Sequence, residues 1–431
     1  MSDESRPEAP VSAPKRKGKV ARKHTVGRVI LISVVVLALV TGLGTVYLIR
    51  HLNGNIEGVS LDALGDAERP EKVYNGNGEA LNVLVMGSDS RECEGCGIDQ
   101  EGGGGSDTTI LVHLSADRSR AYAVSIPRDS IVTRPECNDG DSPAATNVMW
   151  NAAYGVGGPV CTMAQVEENA DVYVDHFVLV DFASFGSMVD AVGGVPVCVP
   201  EDIVDRPRQI FVPKGNPSVL TGDEALDYVR ARYVGDLVEQ NDISRIRRQQ
   251  EFIGALVREV LSAGTLSRLD KVVRFLDAAT ESLTTDEEFA SVTRLGKVAM
   301  QLRGIGLDEI KFVTLPTDYY PSDSEFRGKV FWTPEAYEIW ELIKADKEIP
   351  ARLLKGNSTS AEPPASAAET ESPSPETPTG SESPSETPSE TPSETPSETP
   401  SETPDETASE SPTETPAETT PPEERIFGVC A

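Results

Sequence analysis

The longest apolar run of the chain lies near its N-terminus. Residues 29–49, VILISVVVLALVTGLGTVYLI, carry no charge over 21 positions. At 1.5 Å per residue, a helix of that length spans about 30 Å, which is the thickness of one bilayer core. The pattern therefore predicts an uncleaved transmembrane helix. A cleaved signal peptide is the competing interpretation, but the run is long for one and no clear small-residue cleavage site follows it.

Shorter apolar runs beyond residue 78 predict a single layered α/β domain, with a central mixed sheet flanked by helices. β-Branched residues and period-two stretches indicate the strands, and 3.6-residue periodicity indicates the helices. Thr221 is a plausible helix N-cap because acidic residues follow it in the first turn. The predicted strands are 81–87, 108–115, 120–127, 177–182 and 195–200. The predicted helices are 183–192, 221–232 and one that starts at Asp242.

The composition divides the chain into five predicted segments. SETP occurs five times in succession from Ser385 to Pro404, within a tract that has too few apolar residues to form a core. We therefore expect a disordered tail, which reads equally well as a wall-spanning stalk or as an inert solubilising tail. The segments are a basic cytoplasmic tail at 1–28, the transmembrane anchor at 29–49, a stalk at 50–77, the folded α/β domain at 78–355 and the disordered tail at 356–431.

Charge restricts both the partners and the topology. The formal net charge is −31, and the part predicted to fold is itself acidic, so nucleic acid is not an expected partner because duplex binding needs a basic face. Lysine and arginine are dense just before the apolar run, and their density drops directly after it. The positive-inside rule then places the N-terminus in the cytoplasm and the rest of the chain outside the membrane. An oxidising compartment agrees with six cysteines, among which sequence alone allows 15 pairings. For Cys93 and Cys96 a local disulfide is favoured over a metal half-site.

Arginine is concentrated in one short stretch of this acidic chain. Residues 228–252, YVRARYVGDLVEQNDISRIRRQQEF, contain five arginines and no lysine. Arginine presents a rigid fork of donors that binds phosphate oxygens in pairs, and it keeps its charge. The cluster therefore indicates recognition of a compact phosphate group. Arg230 and Arg232 stand two apart, which in an extended segment puts both on one side. The five arginines are Arg230, Arg232, Arg245, Arg247 and Arg248.

The helix that starts at Asp242 separates two kinds of position. Asp242, Arg245 and Gln249 fall at i, i+3 and i+7 along one edge of its apolar stripe, so we expect them to point toward the core or a cleft. Arg247 and Arg248 point elsewhere, and the sequence favours a solvated face with surface ion pairs for these two.

Acidic residues stand at the ends of predicted strands. Asp89 follows the strand at 81–87, Asp107 precedes the strand at 108–115, and Arg128 ends the strand at 120–127. Carboxylates beside a phosphate site are a usual arrangement for Mg²⁺, which binds through one or two acids plus substrate oxygens. An Asp in a turn is common, and Arg128 with Asp129 could be a structural ion pair. The combination with the arginine-rich helix is far more specific than any of its parts. A GxSxG, Walker A or HExxH motif is not present in the sequence.

These stretches, in this order, resemble the LytR-CpsA-Psr family of cell-wall glycopolymer transferases, of the actinobacterial type. The resemblance covers about 78–355, and the anchor-then-ectodomain layout also fits. Two departures are visible: Gly105 stands where the family often has arginine, and the segment between Arg232 and Asp242 is longer than expected. The matching stretches are NVLVMGSDSR (82–91), SDTTILVHL (106–114), SIPRD (125–129), NAAYGVGG (151–158), VDHFVLVDFASFGSMVDAVGGVPV (174–197), LTGDEALDYVRAR (220–232) and DISRIRRQQ (242–250).

The resemblance implies an enzyme that moves a glycopolymer, with a phosphate, from a polyprenyl-diphosphate carrier to a peptidoglycan hydroxyl outside the membrane. It implies that Asp89 and Asp107 hold Mg²⁺, for which Mn²⁺ can substitute, and that these two act catalytically with Arg128. Asp242 would orient the arginines. The implied phosphate-binding residues are Arg128, Arg230, Arg232, Arg245 and Gln249.

Two other functions stay open at this point. A hydrolase could use the same site on the same polyprenyl-diphosphate glycan, with water as the acceptor. A non-catalytic scaffold could bind the lipid or the wall, although a binding module needs no Mg²⁺ carboxylates. The expected partners are the polyprenyl-diphosphate-linked glycan, peptidoglycan and the membrane. The sequence does not identify the glycopolymer, the prenyl length or a general base.

Overall fold

The computed structural model describes residues 25–64, 69–74, 78–88, 106–137, 140, 142–232 and 241–360. Its first helix, α1 (Thr25–Asn55), contains the predicted transmembrane segment. Residues Val26–Asn55 are long and apolar enough to cross a membrane, and none of the apolar window is buried against the rest of the protein. The helix therefore meets the length and composition requirements of a single membrane crossing.

A mixed eight-stranded sheet forms the centre of the described part of the chain. Three neighbouring pairs in this sheet run parallel (the first with the second strand, the third with the fourth, the sixth with the seventh), and the other neighbours run antiparallel. In spatial order the strands are β1 (Glu57–Val59), β12 (Leu283–Asp286), β7 (His176–Asp181), β2 (Leu81–Ser88), β3 (Ser106–Leu114), β4 (Ala121–Ile126), β13 (Ile310–Thr314) and β16 (Ser358–Ser360).

The other described strands form two-stranded ribbons. These are β5 (Ile131–Arg134) with β6 (Ala145–Met149), β8 (Val195–Val199) with β11 (Gly215–Leu220), β9 (Ile203–Asp205) with β10 (Ile210–Val212), and β14 (Thr317–Tyr319) with β15 (Val330–Trp332). The remaining helices are α2 (Ala152–Ala170), α3 (Phe182–Val192), α4 (Gly222–Arg230), α5 (Asn241–Leu261), α6 (Ala263–Leu266), α7 (Leu269–Glu281), α8 (Val292–Ile305), α9 (Pro334–Lys344) and α10 (Ala351–Leu354), with a 3₁₀ turn at Leu61–Leu64.

Helices cover both faces of the central sheet. Successive residues of a strand point to opposite faces, so Leu111 of β3 packs in one cluster with Val166 of α2 and Trp340 of α9. Ile110, one position earlier, packs in another cluster with Ile305 of α8. Because both faces are covered, the central strands are apolar on both sides, which gives the near-continuous apolar runs seen in the sequence.

A third core cluster lies beside the sheet and carries the arginine-rich segment. It joins α3, α4, α5 and α7 to the β8–β11 and β9–β10 ribbons. Tyr228 of α4 and Phe252 of α5 are fully buried in it and their rings lie 6.3 Å apart. The end of α4 and the start of α5 are thus held by the same packed side chains.

Most elements predicted from the sequence are confirmed. The strands at 81–87, 108–115, 120–127 and 177–182 correspond to β2, β3, β4 and β7, and the predicted helices to α3, α4 and α5. The N-cap of α4 is Thr221, whose backbone N–H donates to Glu224 at 2.9 Å.

The sheet extends beyond the limits predicted for the folded domain. Strand β1 falls within the predicted stalk at 50–77, and β16 falls within the predicted tail at 356–431. Both are edge strands of three residues, too short to give a pattern that sequence periodicity could detect. Residues 361–431, with the SETP repeats, lie outside the described residues, as do 1–24.

One disulfide is formed within the described part of the chain. Cys137 and Cys161 are bonded, at a sequence separation of 24 residues. Cys198 is disulfide-bonded as well. Cys93, Cys96 and Cys430 lie outside the described residues, so the local pairing of Cys93 with Cys96 stays a prediction.

Candidate active site

One end of the central sheet collects the strand ends that the sequence singled out. Ser88, the last residue of β2, pairs with Ser106 of β3 on one side and with Asp181 of β7 on the other. Helix α1 also ends at this end of the sheet. Strand β1 follows α1 directly and pairs in parallel with β12. The first residue of β12, Leu283, pairs with Val180 near the end of β7. We call this side the α1 end of the sheet.

The predicted acidic residues belong to this end by their chain positions. Asp89 comes directly after Ser88 but lies outside the described residues. Asp107 is a residue of β3, at a register shift opposite Gly87 and Ser88. A bulge of this kind locally re-aims a strand and is common beside active sites. The side chains of Asp107 and Asp242 lie outside the described part, so their predicted roles stay predictions.

Asp181 is a third acidic residue at this end, and the sequence reasoning did not select it. It is the last residue of β7 and lies opposite Ser88 in the parallel pair. Its backbone N–H donates to the carbonyl of Ser282 at 3.1 Å. The available signal was the pattern already used for Asp89, an aspartate where an apolar strand ends.

Arg128 follows β4 at the same end. Its side chain is 19% exposed, and its Nε lies 3.7 Å from Asp129 Oδ2. Asp129 also accepts a hydrogen bond from Lys329 Nζ at 2.8 Å. The structural ion pair considered from the sequence is therefore present. Asp129 therefore lies between two cations, Arg128 and Lys329.

Helix α5 enters this region at its N-terminal half. Gln250 is fully buried, and its side-chain amide donates to Ser125 Oγ at 2.9 Å and to Thr314 Oγ1 at 3.1 Å. Ser125 and Thr314 face each other near the ends of β4 and β13. Gln250 thereby fixes the first turns of α5 over the strand end that leads to Arg128.

Burial along this part of α5 overturns one expectation. Arg247 and Arg248 were predicted on a solvated face, but they are 3% and 0% exposed. Arg247 donates to the carbonyl of Gly356, in the turn before β16. The prediction was wrong because a single apolar stripe was taken as the buried face. Both other faces of α5 are also covered, by α4 and by the segment leading to β16, and backbone carbonyls there accept the guanidinium N–H groups.

Arg248 ties α5 to the end of α4. Its Nε donates to the carbonyl of Tyr228 at 3.2 Å and its Nη2 to the carbonyl of Ala231. Gln249 Nε2 donates to the carbonyl of Val229 at 3.4 Å. The last carbonyls of a helix have no partner within the helix, so these side chains satisfy them. They also set the position of the neighbouring Arg230 and Arg232.

Gln249 therefore makes a contact that the sequence did not predict. It was expected to donate to a phosphate, but in this structure its amide nitrogen lies against the end of α4. Its predicted phosphate contact stays a prediction. Arg245, one turn earlier, is 3% exposed.

A buried carboxylate accepts hydrogen bonds from the backbone of the segment that carries the arginines. Asp205, at the end of β9, is fully buried. It accepts the backbone N–H of Arg232 at 2.7 Å and that of Arg208 at 3.2 Å, and the Arg208 guanidinium lies 3.6 Å away. Its negative charge also acts on Arg248. The sequence reasoning missed Asp205 because nothing local marks an aspartate in a short ribbon as the partner of a segment 27 residues later.

Burial changes the titration of two groups on α5. Desolvation lowers the pKa of Arg248 to about 10, which leaves it charged at neutral pH. Desolvation raises the pKa of Glu251 to about 7, although the backbone N–H of Cys198 and the charge of Arg258 act in the opposite direction. A charged form loses its hydration on burial, and this explains both directions.

Side-chain hydrogen bonds link the elements that carry four of the predicted phosphate ligands. Arg230 and Arg232 are joined to α5 through Arg248 and Gln249, and α5 is joined to the strand before Arg128 through Gln250. Fixed guanidinium groups in a partly desolvated site favour a compact anion with several oxygens. A group of three or more His, Cys, Asp or Glu suited to a metal ion is not found among the described residues, which do not include Asp89.

Comparison with known proteins adds independent information. The LytR_cpsA_psr family model matches residues 49–348. The cell wall biosynthesis protein LcpA of Corynebacterium glutamicum is 30% identical over 327 residues, covering 67% of this chain and 59% of LcpA. The polyisoprenyl-teichoic acid–peptidoglycan teichoic acid transferase TagV of Bacillus subtilis is 31% identical over 267 residues, covering 60% of this chain and 63% of TagV. The chain spans about three fifths of the length of these curated relatives.

A solved structure shares the fold. The LytR-Csp2A-Psr enzyme from Actinomyces oris superposes with a TM-score of 0.51 at 18% identity, covering 67% of this chain and 95% of that chain. At this identity the likeness concerns the fold alone.

Proposed function

Because this chain belongs to the LytR_cpsA_psr family, we propose that it transfers a glycopolymer, with one phosphate, from a polyprenyl-diphosphate carrier to a peptidoglycan hydroxyl. The observation that carries the proposal is the arginine cluster at the α1 end of the sheet. The similarity to TagV, a polyisoprenyl-teichoic acid–peptidoglycan teichoic acid transferase, supports the same substrate class.

The type and placement of the cations support a diphosphate ligand. Arg230 and Arg232, Arg245, and Arg128 belong to three segments that side-chain hydrogen bonds link: Arg248 links α5 to the end of α4, and Gln250 links α5 to β4. Guanidinium groups bind phosphate oxygens in pairs and stay ionised. Arg248 and Asp205 do not need to touch the substrate. They hold the end of α4 through backbone groups, so the arginines are positioned before the substrate arrives.

The position of the cluster also supports a lipid-linked substrate. Helix α1 is long and apolar enough to span a membrane, and β4, which leads to Arg128, ends at the end of the sheet where α1 joins the domain. A prenyl chain anchored in the bilayer would present its diphosphate near the membrane surface. The proposed topology, with the N-terminus in the cytoplasm and the domain outside, places this end of the domain toward the lipid.

The proposed step is one displacement at phosphorus. The acceptor hydroxyl oxygen forms a bond to the phosphorus next to the sugar, and the bond between that same phosphorus and the bridging oxygen breaks, so the bridging oxygen leaves as part of the lipid phosphate. The electron pair leaves with the polyprenyl monophosphate, and the hydroxyl proton ends on that phosphate or in solvent. Fixed arginines stabilise the charge that develops on the leaving phosphate. Glycan phosphate and lipid phosphate account for all atoms.

A divalent cation fits the acidic residues at this end. We propose that Asp89 and Asp107 hold Mg²⁺, with Mn²⁺ as a substitute. Two carboxylates are the donor set that Mg²⁺ prefers beside substrate oxygens, and β2 and β3 are paired where both residues occur. When bound, the ion would neutralise phosphate charge that the arginines share.

Product analysis tests the proposal against its two alternatives. The full chain in proteoliposomes is incubated with a tritium-labelled glycan on a short-chain polyprenyl diphosphate, with or without peptidoglycan. Label that becomes covalently attached to peptidoglycan is the expected result. Release of free glycan phosphate, equally fast without peptidoglycan, would make the protein a hydrolase instead. Tight binding of the lipid without any turnover would make it a scaffold, and would refute the transferase.

A further inference from the structure

Helix α7 runs beside α1 in the same direction and in constant register. His51 contacts Asp277 at 2.8 Å, 226 positions apart in the sequence. One turn further along both helices, Asn55 Nδ2 donates to Thr280 Oγ1 at 3.2 Å, 225 positions apart. The strands that follow pair in parallel, with Glu57 opposite Thr284.

This register carries the start of α7 toward the membrane-spanning part of α1. Eight residues separate Leu269 from Asp277, which corresponds to about 12 Å along a helix. Extended back along the helix axis, an offset of 226 puts Leu269 at the level of Leu43, six residues inside the outer end of the apolar run at Ile49, although Leu43 itself is 70% exposed. Divergence of the two helix axes would reduce the depth but would not reverse the direction.

The corner between α6 and α7, residues 266–274, exposes apolar side chains. The register of α7 against α1 puts this corner at the level where α1 would enter the lipid. Leu269 is 75% exposed, the largest exposed fraction among the large apolar side chains of the described residues, and Leu266 is 39% exposed. A single exposed leucine needs no explanation in a soluble domain. Two of them at the level of a membrane-spanning helix match the composition of a surface that enters the lipid interface.

Basic side chains surround these leucines. Arg268 and Arg274 are 59% and 63% exposed, and both lie within 3.3 Å of the Asp270 carboxylate. Lys271 is half-buried, and its Nζ donates to the carbonyl of Val192. The corner therefore carries an excess of positive charge on a chain whose formal net charge is −31. Such an excess complements the phosphates of anionic lipids.

We propose that this corner is a second membrane contact, with Leu266 and Leu269 in the boundary between head groups and acyl chains. Arg268 and Arg274 then bind lipid phosphates. The proposal depends on α1 spanning the bilayer, and it is independent of the reaction that the domain catalyses. Its consequence is orientation: a domain attached through α1 alone can rotate and tilt, whereas two contacts fix the α1 end of the sheet against the lipid surface.

The contact would reach the arginine cluster through packed side chains. Phe275 and Ala278 of α7 belong to the core cluster that contains Tyr228 of α4 and Phe252 of α5. A rigid core transmits position, so docking of α7 would hold the ends of α4 and α5 at a fixed height above the bilayer.

Tryptophan quenching by brominated lipids tests the contact without an activity assay. The three native tryptophans, Trp150, Trp332 and Trp340, are 0%, 6% and 2% exposed, so their background is constant. Leu269→Trp is compared with Met300→Trp in the full chain, in nanodiscs that contain anionic brominated phosphatidylglycerol. Met300 is a matched control because it is 61% exposed. It lies next to Gln301, which accepts from Arg118 at the opposite end of the sheet.

The expected result is strong quenching and a blue shift for Leu269→Trp, with Met300→Trp indistinguishable from the unsubstituted chain. Adding Arg268→Glu and Arg274→Glu should reduce the quenching at least threefold, while circular dichroism and the melting temperature confirm the fold. Equal emission of the Leu269→Trp variant in brominated and ordinary lipid would overturn the proposal. Protection of that tryptophan only after peptidoglycan is added would also overturn it, because the partner would then be the wall.

Discussion

Arg248 donates a hydrogen bond from Nε to the carbonyl oxygen of Tyr228 at 3.2 Å. This contact joins the helix that carries Arg245 to the end of the helix that carries Arg230. The arginines of this segment therefore have two duties. Arg248 positions other residues through backbone carbonyls, whereas Arg245 and Arg230 are proposed to bind the substrate.

Lysine substitutions should separate the two duties. Arg245→Lys keeps the charge but loses the fork, so glycan transfer should fall ten- to a hundred-fold, which corresponds to about 1.5–3 kcal/mol for one charge-assisted contact.

Arg248→Lys cannot reach both Tyr228 and Ala231. It should lower transfer and also the unfolding free energy, the latter by about 2–4 kcal/mol. Thermal melting and the transfer assay are measured on each, with Arg303→Lys on the exposed face of α8 as the control. Wild-type melting of Arg248→Lys would contradict this assignment.

Arg247 should matter for stability, contrary to the expectation from the sequence. Arg247→Ala removes the donor to the Gly356 carbonyl and leaves a buried space. We expect a loss of about 2 kcal/mol and faster hydrogen exchange of the β16 amides, because the turn before that strand is released. Arg303→Ala again serves as the control. Unchanged exchange at Ser358–Ser360 would show that Arg247 does not hold this edge strand.

Glu251 should make stability depend on pH. Burial raises its pKa to about 7 from an ordinary value of 4.5, so the folded protein keeps this proton to higher pH than the unfolded chain does. The unfolding free energy therefore falls as pH rises from about 4.5 to 7, and the full loss, of order 3 kcal/mol, is present above that range.

Glu251→Gln should remove this loss. The variant should melt higher than wild type at pH 8, and the difference should nearly vanish at pH 4.5, where the carboxyl is protonated in the folded protein and half ionised in the unfolded chain. Glu288→Gln is the control, because the Glu288 side chain is 72% exposed. An equal effect of Glu251→Gln at pH 8 and pH 4.5 would refute a buried, titrating carboxyl.

A divalent metal ion should be required for turnover if Asp89 and Asp107 hold it. Asp107→Ala should lose transfer at least a hundred-fold while its melting temperature stays close to wild type, because the substitution removes a proposed metal ligand. Isothermal titration with Mn²⁺ should show a weakened site in the same variant. Full activity in excess chelator would show that turnover does not require a divalent metal ion.

The sequence predicted the parts of the fold that depend on local pattern. The apolar strands, the N-cap at Thr221 and the helix from Asp242 all have local periodicity or capping residues, and the structure confirms them. The edge strands β1 and β16 were not predicted, because three residues are too few to show a period-two pattern. Their pairing is decided by distant partners, at Thr284 and at Phe312.

The candidate site was predictable as a set of residue types and less so as a set of contacts. Arginine chemistry, with helical spacing for Arg245 and a spacing of two for Arg230 and Arg232, led to phosphate-binding roles that stay predictions. The buried role of Arg248 and the support from Asp205 depend on which backbone groups another element leaves unsatisfied. Those groups appear only when α4 and α5 have packed, so no single-segment pattern reveals them.

The fate of the two phosphorus atoms tests the central claim most directly. The carrier is prepared with ³²P only at the phosphorus next to the sugar and is given to the full chain with peptidoglycan. We predict that the label enters peptidoglycan together with the glycan and that unlabelled polyprenyl monophosphate is released. Arg245→Lys should slow both events at least tenfold. Label that stays with the lipid while glycan is attached, or that leaves as free glycan phosphate, would contradict it.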